Sequence, residues 1–317
     1  MNLAITNGTS MYTRNAVSVI DNARALEKRE KTSESIRNNE DLMMATQFTA
    51  ELAENAVVSY NSTARTNALT RSISLSVSDG RALQIKLANM GFYNAAYDGN
   101  VTSSSFTKAL ENFERVFCEE VTGELTTDLK EKIEKTNAAY TECLNSNGMS
   151  TIANELDLSA THKKNAALTW VFLREGMGLT KMHASAVMGN IFAESAFSCT
   201  NAQDSYGYTG EDNYSYEFST NDGVGYGLMQ WTYFSRKEGL QEMADAMGRD
   251  ESNLAVQLAH IKNEVTNEEY KDEWKIFKTK TTIASATNYF LDEIEKAGKK
   301  NYQQRQEYAI VFYDNLV

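Results

Sequence analysis

The segment TKMHASAVMGNIFAES, residues 180–195, organises the chain around it. Thr180 can cap a helix N-terminus, because a hydroxyl there accepts a hydrogen bond from a backbone N–H within the first turn. Ala184, Val187, Met188 and Ile191 then recur at helical spacing on one face. Glu194 continues that face at the helix end. A carboxylate on an apolar stripe is partly desolvated, and desolvation disfavours its charged form and raises its pKa. A general acid working near neutral pH needs that property.

Downstream of Glu194 the chain changes character. Residues 195–227, SAFSCTNAQDSYGYTGEDNYSYEFSTNDGVGYG, are rich in turn formers and tyrosine, and Leu228-Met229-Gln230-Trp231 opens a new apolar stretch. Beyond it, Leu254, Leu258, Ile261 and Val265 form one helical stripe. Ile283, Ala286, Tyr289, Phe290 and Ile294 form another, stopped by Gly298. The pattern predicts an α+β fold, mainly helical, with a small β lobe over a cleft.

Upstream, residues 1–78 are rich in Asn, Ser, Thr, Ala and charge but poor in aromatics, which predicts a helical or partly disordered attachment arm. Residues 79–136 carry two helical stripes, Leu83 with Leu87 and Phe106 with Leu110 and Phe113, separated by Gly91 and the turn Asp98-Gly99. With Leu83-Gln84, Leu87, Gly91-Phe92, Asp98-Gly99, Phe113 and Gly123 in register, this unit resembles the peptidoglycan-binding domain type 1, a three-helix module. It departs from that pattern at Asn100-Val101 and at Cys118-Glu119-Glu120. Residues 137–160 read as a polar connector, and residues 161–317 as the domain that carries chemistry.

Composition narrows the field of functions. The 317 residues carry 31 basic and 43 acidic side chains, a formal net charge of −12, with 42% hydrophobic and 23% charged residues. An acidic chain without a clustered basic face is a poor ligand for phosphate backbones, so no nucleic-acid partner is expected. No apolar run reaches the roughly 18 residues a membrane helix needs, and the first 25 residues lack the apolar core of a Sec leader, so neither membrane insertion nor Sec export is expected. Three cysteines, Cys118, Cys143 and Cys199, and three histidines, His162, His183 and His260, stand singly, which indicates neither a disulfide framework nor a metal site. No cofactor is expected. Proline is absent altogether, so the turns rely on Gly, Asn, Asp and Ser.

The order of a helix ending in Glu-Ser, an irregular lobe and Gly-Leu-Met-Gln resembles the lysozyme-like superfamily, which includes goose-type lysozymes and lytic transglycosylases. Over about 155 residues the chain is most similar to the phage tail lysozyme family. The resemblance rests on Gly189-Asn190 before Glu194-Ser195, Gly225-Tyr226-Gly227 with Gln230-Trp231, Ser235-Arg236, Gln257-Leu258 with Glu264, residues 286–290 with Glu295, and Arg305 with Tyr308-Ala309. Departures are Ala196 where the family usually has Gly, Cys199 where Pro is frequent, and Lys296-Ala297 where Arg-Pro or Asn-Pro is usual.

The resemblance implies peptidoglycan glycan strands as substrate, cleaved at the β-1,4 link between N-acetylmuramic acid and N-acetylglucosamine, with Glu194 protonating the leaving oxygen. Glycoside hydrolysis normally uses a second carboxylate. Asp204, Glu211, Asp212, Glu217 and Asp222 are the candidates in the lobe. Gln230 suits an N-acetyl or hydroxyl group, and Tyr226, Trp231 and Tyr289 are candidates for stacking on sugar faces or for core packing. A lytic transglycosylase would use Glu194 alone and leave 1,6-anhydro ends. Two further readings are a wall-binding or virion component without catalysis, and a cysteine peptidase pairing Cys199 with His260. Without a Sec leader, delivery by a phage or prophage particle, dedicated export or lysis is expected, with tail or delivery-particle proteins as partners.

Overall fold

The computed structural model describes residues 73–204, 212–267 and 269–317. The arm expected over residues 1–78 lies almost wholly outside the described residues. Eleven α-helices follow in the described chain, and the β content among these residues is two isolated bridges, Ala202 with Tyr226 and Tyr226 with Trp231. The fold is mainly helical, as the periodicities predict.

Helices α1 (Val77–Asn89), α2 (Ser104–Phe117) and α3 (Thr127–Asn145) begin at the hydroxyl caps Ser76, Ser103 and Thr126, each accepting from a first-turn N–H. Leu83, Leu87, Phe106, Leu110, Phe113 and Ile133 form their shared interior. Gln84 pins the turn between α1 and α2: its Oε1 accepts from Gly99 N at 2.8 Å and its Nε2 donates to Asp98 Oδ1 at 2.9 Å. Gly99 has φ +78, and a Cβ there would stand 2.2 Å from the Val77 carbonyl oxygen, so only glycine fits. Residues 137–160 are not an open connector. They are the second half of α3, then α4 (Asn147–Glu155) and the start of α5, with Tyr140, Met149 and Ile152 buried.

Helix α5 (Ala160–Val171) widens into a π-helical turn, Phe172–Gly176, and α6 (Lys181–Ser195) follows. Thr180 caps α6 by accepting from His183 N at 3.3 Å, and Ala184, Val187, Met188 and Ile191 are buried. After the lobe come α7 (Phe234–Met247), α8 (Leu254–Thr266), α9 (Lys271–Phe277), α10 (Ile283–Tyr289) and α11 (Tyr302–Asn315). Helix α10 also runs into a π-helical turn, Phe290–Glu295. Its extra residue per turn lets Phe290, Ile294 and Glu295 all face inward.

Helix α6 lies against α10 and α11. The approach to α11 is close because Gly189 has no side chain: a Cβ there would meet Ala309 N and Arg305 O at 2.7 Å each. That contact sets Arg305 beside the last turn of α6.

Candidate active site

The Glu194 side chain is 16% exposed and is ion-paired through Oε1 with Arg305 Nη2. The apolar face predicted for α6 is present, but the carboxylate at its end meets a guanidinium rather than hydrocarbon. Arg305 is itself 4% exposed, and its Nη1 donates to Glu295 Oε1 at 2.8 Å and to Asn190 Oδ1 at 3.3 Å. Asn190 is oriented in turn by donating from Nδ2 to Ala186 O at 2.9 Å and Thr287 O at 3.1 Å. Three helices thus converge on one guanidinium, and the sequence spacing of the four residues gives no hint of it.

Gln230 occupies the last position of a tight loop. Tyr226 and Trp231 exchange backbone hydrogen bonds at 3.2 and 3.0 Å, closing Gly227-Leu228-Met229-Gln230 between them. Gly227 at φ +71 and Gln230 at φ +49 make the reversal possible. The Gln230 amide donates from Nε2 to Asn201 Oδ1 at 3.0 Å and Gly227 O at 3.1 Å. Two more bonds fix the loop to its surroundings: Ser195 Oγ donates to Leu228 O at 3.1 Å, and Leu228 N to Gln257 Oε1 at 2.9 Å. The residue after Glu194 therefore ties the end of α6 to the Gln230 loop.

Two depressions meet at Glu194. The larger, of about 690 Å³, is lined by Glu194, Asp204, Gln230, Tyr233, Glu295, residues 296–299 and Asn301. The smaller, of about 270 Å³, is lined by Phe192, Ala196, Gln304 and Tyr308, and shares Glu194, Asn201, Asn301 and Arg305 with the first. Strain gathers at the same place. Six described non-glycine residues have positive φ, and five of them, Ala196, Phe197, Gln230, Lys296 and Asn301, follow Glu194 or line these depressions. Left-handed backbone at non-glycine residues is costly and gathers at functional sites.

Residues 164–316 match the phage tail lysozyme family. No curated protein matches the chain. The match takes in Glu194, Gln230, Glu295 and Arg305, and supports a lysozyme-like, peptidoglycan-degrading function for this region.

The five carboxylates of the lysozyme-like lobe separate by environment. Asp204 is exposed and lines the larger depression with Glu194 and Gln230. Glu211 lies outside the described residues. Asp212 accepts from Ser198 Oγ at 2.8 Å and pairs with His162 Nε2 at 3.1 Å, fastening the chain after α6 to α5. Asp222 accepts from the wholly buried Lys237 at 2.7 Å and from Tyr216 OH at 2.6 Å. Burial works against ionisation of Asp222, but these donors outweigh it and hold the carboxyl below its ordinary range. Glu217 is exposed and lines neither depression. Asp212 and Asp222 are occupied in holding the lobe together.

The aromatic candidates divide in the same way. Trp231 is 0% exposed and donates from Nε1 to Glu264 Oε2 at 3.0 Å, so no ring face is open to a sugar. Tyr226 is buried against Tyr216 and Phe218, with ring centroids 5.1 and 5.2 Å away. Tyr289 lines neither depression and lies under Lys280, whose Nζ is 4.1 Å from its ring centroid. The exposed aromatic in the larger depression is Tyr233, just before α7, a solitary position with no motif to mark it. Cys199 is buried, its Sγ 3.7 Å from Asn165 Nδ2, and burial pushes the thiol up. His260 is buried beside Trp231 and Glu264, so no thiol–imidazole pair forms.

Proposed function

We propose that the chain is a muramidase that hydrolyses the β-1,4 bond between N-acetylmuramic acid and N-acetylglucosamine. The observation that carries this reading is the position of Glu194 where two depressions of unequal size meet. A polymer lying through both would present a glycosidic oxygen, rather than a chain end, to the carboxyl group. Glu194 protonates the departing oxygen as the anomeric carbon takes on oxocarbenium character. Gln230, fixed by Asn201 and Gly227, keeps its Oε1 for an N-acetyl or hydroxyl donor. Asp204 is the second carboxylate best disposed to activate water, since it shares the larger depression with Glu194. We further read the α1–α3 unit as a wall-binding element and delivery as particle-borne; recovery of the protein solely from the soluble cytoplasm of producing cells would remove the delivery idea.

Mass spectrometry of muropeptides released from purified peptidoglycan tests the enzymatic reading. Reducing muramic ends from the parent, with cleavage at least a hundredfold lower in Glu194→Gln, are expected from the usual size of general acid catalysis. Products carrying 1,6-anhydro ends would replace hydrolysis by transglycosylation, with Glu194 as acid and then base. Failure of the parent to release fragments from walls of several chemotypes would leave a glycan-binding or virion component.

A further inference from the structure

Glu295 has no part in the mechanism so far, yet it is the most deeply buried carboxylate near Glu194. Its side chain is 1% exposed, at the wall of the larger depression beside Arg305. Its Oε1 accepts from Arg305 Nη1 at 2.8 Å, while Oε2 is buried and receives no hydrogen bond from an N–H; the Glu194 carboxyl lies within side-chain hydrogen-bonding reach of Glu295. Arg305 thus serves two carboxylates with one positive charge, Glu194 on Nη2 and Glu295 on Nη1.

We propose that Glu295 is the proton-sharing partner of Glu194: the two carboxyl groups hold one proton between them beside Arg305, and Glu295 passes it to Glu194 for delivery to the leaving glycosidic oxygen. This rests on the reading of Glu194 as the general acid. Two carboxylates against one guanidinium carry a net charge of −1, and a single shared proton brings the trio to zero. In the resting arrangement Glu295 is protonated and Glu194 ionised on Arg305. Transfer across their contact leaves Glu295 ionised against Nη1 and Glu194 neutral, ready to donate. When the glycosidic bond breaks, the leaving oxygen takes that proton and Glu194 returns to its ion pair. Asp204 takes the proton of the attacking water, and exchange with solvent returns one proton to the pair, so the cycle balances.

The surroundings of Glu295 fit this role. Burial and the neighbouring Glu194 charge both push its carboxyl well above the ordinary range, against the pull of Arg305 and Arg236. From α11 it faces Arg305, and from α6 Glu194. From α7, Arg236 donates to the Glu295 carbonyl at 3.3 Å. The Arg236 charge is already matched by Glu264 on α8 through bonds of 2.6 and 2.8 Å. Lys296, paired with Glu269 at 3.6 Å, and Lys299 line the same depression, and Arg305 is the cation bonded to both carboxylates of the pair. Glu295 acts through Glu194, as a positioning residue.

The test uses the full chain and soluble, uncross-linked glycan strands, with scission followed by mass spectrometry across pH. Glu295→Gln keeps an acceptor for Arg305 but holds no transferable proton. It should lower kcat at least tenfold at pH 7 with KM within a factor of about two, and move the alkaline limb of the rate profile down by a pH unit or more. Difference infrared spectra of the parent should show a protonated buried carboxyl at neutral pH that Glu295→Gln lacks. An unmoved alkaline limb overturns the proposal, as does a parent spectrum without that carboxyl, a measurement that stands even where the variant does not fold. Cleavage by Glu194→Gln at the parental rate would instead remove the acid assignment itself, and is distinguishable because Glu295→Gln plays no part in it.

Discussion

At the scale of single residues, the site is built from conformations and ionisations that ordinary sequence statistics disfavour. Ala196 ends α6 at φ +47, a conformation that costs an L-residue about 1–2 kcal/mol. This is the position where glycine is usual in the family the chain resembles. Ala196→Gly should raise stability by about 0.5–1 kcal/mol, relief of strain being offset in part by the greater freedom of glycine in the unfolded chain. Thermal unfolding that fell on this substitution would show that Ala196 is held by packing the backbone angle does not reveal. Glu295 gives the pH counterpart. Its pKa is raised on folding, so the folded state binds its proton more tightly than the unfolded one, and the associated stability is fully present below the unfolded value near 4.3 and lost as pH rises from there towards the folded value. The parent should therefore lose stability relative to Glu295→Gln on going from pH 5 to pH 8, by at most about 1.4 kcal/mol per pH unit. Urea unfolding of both proteins at the two pH values measures the difference directly.

At the scale of elements, one close helix pair decides whether the site exists. Gly189 lets α11 approach α6 until a Cβ would stand 2.7 Å from two backbone atoms, and Arg305 lies on the contacting turn. Gly189→Ala must push the helices apart, at a cost of about 1–3 kcal/mol. It should also depress cleavage strongly, because Arg305 leaves Glu194 and Glu295 together. Full activity in a destabilised Gly189→Ala protein would separate the arginine from catalysis. The helix itself was legible: the Thr180 cap and the stripe from Ala184 to Ile191 have the period and boundary that capping and burial demand. What meets Glu194 was not legible, because Arg305 is 111 residues away and only the fold brings the two together. For Trp231, Tyr226 and Tyr289 the sequence leaves stacking and core packing open, since an aromatic ring suits a sugar and a core equally well; burial answers for Trp231 and Tyr226, and position away from both depressions for the half-buried Tyr289.

At the scale of the molecule, the α1–α3 unit is fastened to the lysozyme-like region rather than tethered to it. Lys262 on α8 reaches the carbonyls of Arg115 and Val116 at 3.2 and 3.4 Å, and also that of Cys118, occupying the acceptors left open at the end of α2. Asn112 donates to Met247 O at 3.1 Å and Arg249 to Phe92 O at 3.0 Å. Aromatic packing crosses the same boundary. Phe113 stacks on Phe117 at 5.0 Å, and Phe117 meets Phe172 edge-on at 6.4 Å in the π-helical turn after α5. The polar composition of residues 137–160 suggested a connector because Asn, Ser and Thr dominate it. Those residues cap and coat α3 and α4, while the sparse Tyr140, Met149 and Ile152 do the packing. The described residues from 73 to 317 belong to one compact unit, so heating should melt it in a single transition. Phe117→Ala removes a fully buried ring from the shared boundary and should cost about 3–5 kcal/mol. Calorimetry of the parent and of Phe117→Ala checks both expectations. A wall-binding element on a flexible tether would melt separately and leave the lysozyme-like transition where it was. An element packed through Phe117 and Lys262 must lower the melting of the whole unit, and must carry the cleft with it wherever it binds.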